Sequence, residues 1–161
     1  MPAEIKDVLD EMKMHKPSII QAKAIPMIMG DTSKNFLFQA LNGSGKTLSF
    51  GVPAIMRVNP EIKGVQVLII ANTRELIRQV QQVIHKVSSK SSVTCCIGDN
   101  DAPSEGAQIM VTVPKWIENK INGRKPLDLK HVNMVIYDEA DEIFMQEGNH
   151  SSIAKLQAHL G

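Results

Sequence analysis

The chain has 161 residues, enough for one domain that buries roughly two-thirds of its unfolded surface. Its formal net charge of +1 provides no global field toward nucleic acid. Hydrophobic content of 43% is ordinary for a globular chain, and no apolar run approaches the roughly 18 residues of a membrane span, so no membrane insertion is expected.

In chain order, residues 4–14 place Ile5, Val8, Leu9 and Met12 at helical spacing between charged residues. Pro17-Ser18 breaks that helix, and Ser18 is suited to cap a second one carrying Ile19, Ile20, Ala24, Ile25 and Met29, with Gln21 in its first turn. The turn cluster Gly30-Asp31-Thr32-Ser33 precedes an apolar run, residues 35–40, which reads as a first strand. A glycine-rich turn and a helical pattern over residues 48–57 follow. Gly64 opens a second strand over residues 65–71, and a helix from Arg74 carries Leu76, Ile77, Val80, Val83, Ile84 and Val87 on one side. Residues 92–97 read as a third strand, residues 98–101 as a loop and residues 108–113 as a fourth strand. Pro114 is suited to start a helix with Trp116, Ile117 and Ile121 that Asn122-Gly123 ends. Residues 132–137 form a fifth strand, and residues 151–160 a last helix. Near-continuous apolar strands alternating with helices predict an α/β fold, a mostly parallel sheet covered on both faces. Its ligands belong at the carboxyl ends of the strands.

The amino terminus has acids and no apolar core, so it is not a secretory signal, and an intracellular setting is expected. Cys95 and Cys96, adjacent in an apolar run, suit neither a bridge between elements nor a metal pair, and read as strand residues. Met12, Met14, Met27, Met29 and Met56 read as core filler. Charge is uneven: residues 57–90 carry a net +4 and residues 115–131 a net +3, while residues 138–147 hold five acids and no base. Each patch suits a solvated helix face or a local contact for an anion.

The turn Ala40-Leu41-Asn42-Gly43-Ser44-Gly45-Lys46-Thr47 has the parts of a phosphate-binding loop. Glycines bare the backbone N–H groups that curl around phosphates, a lysine reaches the outer phosphates, and a hydroxyl holds Mg²⁺. The helix that follows adds partial positive charge at its N-terminus. A glycine-softened turn between strand and helix is the plainer alternative, and Ala40 stands where the general pattern begins with glycine. A triphosphate brings Mg²⁺, and Asp138, just past an apolar strand, is placed to anchor it. Glu139 is then placed to orient the attacking water. The alternative for Asp138-Glu139-Ala140-Asp141 is an acidic helix start favoured by the helix dipole.

Together these two stretches resemble the DEAD-box RNA helicases. The phosphate loop of that family begins with alanine, and its adenine-reading motif resembles Pro17-Ser18-Ile19-Ile20-Gln21. The resemblance implies a three-layer α/β/α RecA-like N-terminal domain over residues 1–161, ATP with Mg²⁺ as cofactors, and ATP hydrolysis coupled to remodelling of RNA or RNA–protein complexes. It implies Gln21 on adenine, residues 42–47 on the phosphates, Thr47 and Asp138 on the metal, and Lys46, Asp138 and Glu139 as catalytic groups. Asn72-Thr73-Arg74-Glu75-Leu76 resembles an RNA-backbone motif with Asn72 in place of proline, and Gly98 the remnant of a paired glycine. Thr112-Val113-Pro114-Lys115 aligns with a Gly-Thr-Pro-Gly segment. Thr73, Arg74, Gly98, Thr112 and Lys115 are the implied contacts to single-stranded RNA. Details of spacing are most similar to the mRNA-export branch acting at the nuclear pore, which implies export factors as partners and a cytoplasmic or nuclear location.

In the family a second RecA-like domain, an arginine finger and a strand between those of the phosphate loop and the acidic motif complete the machine. None is found before Gly161, so a fragment of marginal stability that turns over very slowly is expected. The rival expectation is a non-catalytic RNA or protein adaptor that keeps the fold, favoured by the altered segment 112–115. A different P-loop NTPase is a weaker third, opposed by Gln21.

Overall fold

The second predicted strand lies inside the sheet, with the fifth beside it at the edge. A computed structural model describes residues 1–99, 106–124 and 126–161. Helices α1 (Ala3–Glu11), α2 (Ile19–Gly30) and α3 (Lys46–Arg57) precede strand β1 (Val67–Ile70), which leads to α4 (Arg74–Val87). Then come β2 (Cys95–Gly98), β3 (Ile109–Thr112), α5 (Pro114–Ile121), β4 (Met134–Tyr137), α6 (Ala140–Met145) and α7 (Glu147–Leu160). The strands form a sheet of order β2-β3-β1-β4, every pair parallel, with Val67 opposite Ile109 on one side and Met134 on the other.

Alternating residues of each strand feed two cores. Val67, Ile69, Ile109, Val111 and Ile136 face α1, α3 and α4, where Ile5, Val52, Ile55, Ile77 and Ile84 meet them. Leu68, Ile70, Cys96 and Met110 face the opposite layer, built from Trp116 and Ile117 of α5, Ile143 of α6 and Ile153 and Leu156 of α7. The expected three-layer α/β/α architecture is thus the one observed, and Cys95 and Cys96 are buried strand residues that point to opposite layers.

Two buried glutamines extend the strands into their loops. Gln66 accepts from the Asn59 N–H and donates to the Asn59 and Ile62 carbonyls, so the turn after α3 is closed by the residue that opens β1. Gln108 accepts from the Thr94 N–H. A buried amide placed this way offsets its desolvation with hydrogen bonds.

Three expectations are corrected. Residues 35–40 are not a strand, for they join no ladder, although Phe36 and Phe38 stack with centroids 5.8 Å apart. Strand structure is fixed by a hydrogen-bonded neighbour, and this apolar run has none. The last helix begins four residues earlier than residue 151, and α6 precedes it where no helix was assigned. Met14 and Met27 are exposed, while Met12 and Met56 do pack against the core. The predicted loop after β2 reaches Asn100 and Asp101, outside the described residues. Among the described residues no helix is long and apolar enough to cross a membrane.

Candidate functional site

The carboxyl ends of β1 and β4 meet the N-terminus of α3, and the sequence motifs converge there. Gly43 and Gly45 adopt φ of +76° and +88°, the left-handed region where a side chain is strained, and Gly45 is the N-cap of α3. Ala40 has no such φ, so the turn does not need glycine at that position. The turn is closed by the Ser44 N–H on the Leu41 carbonyl at 3.2 Å. Lys46 and Thr47 open the helix, where N–H groups have no intrahelical acceptor. The Lys46 ammonium donates to Asn42 Oδ1 at 3.1 Å. Ser44 Oγ is buried without a hydrogen-bond partner among the described residues. An orphaned hydroxyl beside two left-handed glycines and a helix N-terminus fits a bound phosphate, which would supply the missing acceptor.

Gln21 is tied to this loop more closely than the sequence suggested. Its Oε1 accepts from the Ser18 N–H at 3.0 Å while Ser18 caps the Gln21 N–H, a capping box that starts α2. Its Nε2 donates to the Gly45 carbonyl at 3.2 Å. Glycine is favoured at 45 by its φ of +88°, and a Cβ there would stand 2.4 Å from that Nε2, so the Gln21 amide would have to move off the loop. One N–H of Gln21 and a second lone pair stay open to a base.

Asp138 follows β4, its N–H donating to the Ile70 carbonyl at 2.9 Å. Burial raises its pKa, repulsion from Glu139 adds to the rise, and the Lys46 charge opposes it. Lys46 and Asp138 are thus close enough to interact, which brings phosphate loop and acidic motif to one place. Glu139 has φ +53° and ψ +52°, one of two non-glycine residues with positive φ among those described. A left-handed conformation costs such a residue about 1–2 kcal/mol, and this one turns the chain from β4 into α6. Among the described residues no three His, Cys, Asp or Glu side chains are grouped to hold a metal alone. A cavity of about 350 Å³ beside Leu127, Leu129, Val132 and His159 opens at the amino end of β4, the end away from Asp138.

The five implied RNA contacts divide. Thr73 caps α4 by accepting the Leu76 N–H at 3.2 Å, and Thr73 and Arg74 are exposed on the same edge as Asp138. Thr112 is 0% exposed, and its hydroxyl donates to the Gly98 carbonyl at 2.6 Å, so it is corrected from a surface contact to an internal one. Gly98 is buried as well, because the Trp116 ring lies on it; a Cβ there would stand 2.7 Å from the ring. Lys115 keeps an exposed stem, with its ammonium 2.7 Å from Glu118 Oε2.

Four residues had no place in the sequence reading of the site. Glu118, 6% exposed, also pairs with Lys155 and accepts from Ser152 Oγ, joining α5 to α7. The three donors hold its carboxyl down at about 2. The Lys115–Glu118 spacing was visible as a helical i,i+3 pair; Lys155 and Ser152, more than 30 residues on, gave no signal. Asn149 was missed altogether.

A family model described as DEAD/DEAH box helicase matches residues 18–161. An ATP-dependent RNA helicase eIF4A of Aspergillus oryzae is 35% identical over 162 aligned residues, covering 87% of this chain and 38% of the relative. The chain therefore spans about two-fifths of the length of that relative. The structure of Saccharomyces cerevisiae Dbp5 bound to RNA and ADP BeF3 superposes with a TM-score of 0.91 at 27% identity, over 100% of this chain and 42% of that one. A second Dbp5 structure, bound to nup159, gle1, ip6 and adp, gives 0.90 at 27% identity and covers 44% of that chain.

Proposed function

The chain belongs to the DEAD/DEAH box helicase family, and we propose that it is the ATP-binding N-terminal RecA-like lobe of an ATP-dependent RNA helicase, spanning residues 1–161. The observation that carries the reading is the buried, unpartnered Ser44 hydroxyl between the left-handed Gly43 and Gly45 at the N-terminus of α3, with the Lys46 charge felt at Asp138. In the proposed site the N–H groups of residues 43–47 and the Lys46 ammonium bind phosphates, and Asn42 releases that ammonium. Asn42 and Ser44 line the same turn. Thr47 Oγ1 and Asp138 would hold Mg²⁺, a smaller protein ligand set than the three-residue clusters absent among the described residues. Bound Mg²⁺ would supply neutralisation of phosphate charge. Glu139 orients water from its left-handed position at the turn from β4 into α6.

Gln21 reads the N6/N7 edge of adenine with its open N–H and lone pair. Because the other half of its amide holds the Gly45 carbonyl, base recognition and the phosphate loop share one side chain. RNA lies along Thr73, Arg74 and Lys115, with Gly98 and Thr112 shaping the wall behind them. Dbp5 bound to RNA and ADP BeF3 supports the ligand pair. Dbp5 bound to nup159 and gle1 supports partners of the mRNA-export kind, with action in the cytoplasm or nucleus at the pore. A second RecA-like domain would complete catalysis. By comparison with NTPases in which an arginine finger contributes about 10³–10⁵ in rate, this lobe by itself turns over very slowly.

A second reading, a non-catalytic adaptor, draws on one observation: Thr112 and Gly98 are spent on internal contacts. Titration calorimetry of ADP and GDP, each with Mg²⁺, tests the main reading. ADP is expected to bind and GDP to bind at least about tenfold more weakly, the worth of one well-made hydrogen-bond pattern. Binding of neither, or equal binding of both, would remove the support for nucleotide recognition through Gln21.

A further inference from the structure

Asn149 lies in the first turn of α7 and reaches two other parts of the chain with one amide. Its Nδ2 stands 3.1 Å from the Ile143 carbonyl, 3.3 Å from Gln146 Oε1 and 3.3 Å from Asn72 Oδ1. An amide nitrogen carries two hydrogens, so these three acceptors share two donors. Ile143 belongs to the last turn of α6, where carbonyls have no intrahelical donor. His150 serves the Phe144 carbonyl in the same way, so α6 is closed at its C-terminus by side chains of α7. The other end of α6 is Glu139. Asn72 precedes Thr73 and Arg74 in the loop between β1 and α4, and it replaces a residue without a side-chain acceptor in the motif it resembles.

We propose that Asn149 is a positioning residue that ties the loop of residues 72–74 to α6, holding the acidic end of the site and its Thr73–Arg74 edge in one register. The inference rests on the functional reading above for what those two edges bind, and on the three distances for the link itself. Gln146 competes with Asn72 for the second hydrogen and therefore weakens the link. The arrangement has a sign structure: removing Asn149 or Asn72 loosens the loop, whereas removing Gln146 tightens it.

Amide hydrogen exchange on the full chain reads this directly at residues 72–76 and 139–145. One hydrogen bond is worth about 1 kcal/mol, so Asn149→Ala and Asn72→Ala should each speed exchange at residues 72–76 about fivefold. The double variant should be no faster than either, Asn72→Asp should restore protection because a carboxylate accepts the same N–H, and Gln146→Ala should slow exchange. Additive single effects, failure of Asn72→Asp to restore, or faster exchange in Gln146→Ala would each overturn the link. A binding arm reads the coupling. With ADP, beryllium fluoride and Mg²⁺ present, Asn149→Ala should weaken binding of an oligouridylate about fivefold while the Kd for ADP alone stays within twofold. Equal losses for both ligands would overturn the positioning role in favour of general loosening. A wild-type chain that fails to bind ADP would overturn the nucleotide reading instead, and the exchange pattern would still decide the Asn149 link.

Discussion

β1 and β4 are neighbours of equal length in one parallel ladder, and both are apolar. Every residue of β1 is at 0% exposure, because it is paired on both edges and covered on both faces. β4 is paired on one edge, and three of its four residues are only half-buried. The difference follows from the outer edge of β4, which has no ladder among the described residues; the apolar residues 35–40 join no ladder either, and Leu37 is 88% exposed. Burial is deepest at β1, while the proposed chemistry sits at the end of the strand with less cover. Asp138 is reachable because β4 is incompletely buried, and its raised pKa is the cost of holding a carboxylate there at all.

The sharpest way to break this comparison is to truncate both strands. Leu68→Ala in β1 should cost about 2–5 kcal/mol of unfolding free energy in a denaturant titration, and Val135→Ala in β4 about 1 kcal/mol, since a half-exposed site leaves less cavity. Equal costs would mean that β4 is as well packed as β1. Gly98→Ala comes next. The added methyl meets the Trp116 ring at 2.7 Å and should cost about 1–3 kcal/mol by overpacking, with a shift in Trp fluorescence.

Glu118→Gln should cost about 1–2 kcal/mol, less than a fully buried pair because both lysines are substantially exposed. Its sign with pH is fixed. The carboxyl titrates near 4.5 when free and at about 2 when folded. Its stabilisation is therefore complete above pH 4.5 and is lost as pH falls toward 2. The Glu118→Gln variant should show a flatter stability profile through that window, and an unchanged slope would remove Glu118 as the source. The smallest effect is at the site. Asp138→Asn should raise stability slightly at pH 7, because burial penalises the charged form in the folded chain and water partly screens it. The same change should weaken ADP binding in the presence of Mg²⁺. Loss of stability with unchanged binding would make Asp138 a structural residue.

Helices α4 and α5 were legible because their apolar spacing, and Pro114 as first residue of α5, are local signals. The phosphate loop was legible for the same reason, since glycine spacing encodes a backbone shape. Residues 35–40 misled, because an apolar run specifies a strand only if something pairs with it. Thr112 misled in the opposite way: its implied contact came from the resemblance of segment 112–115, and only the position of Gly98 across the ladder shows its hydroxyl turned inward.

What the sequence determined by itself is the set of periodicities and close-range motifs, and with them the α/β class, the parallel sheet and the place of the phosphate loop before α3. The physics there acts within one turn or one strand, through φ preferences, capping and amphipathic faces. What only the tertiary structure decided is which polar groups meet across long separations. Gln21 on the Gly45 carbonyl, Lys155 on Glu118 and Asn149 on Asn72 join residues 24, 37 and 77 positions apart. Hydrogen bonds depend on a few tenths of an ångström and on direction, and neither is set until the layers have packed.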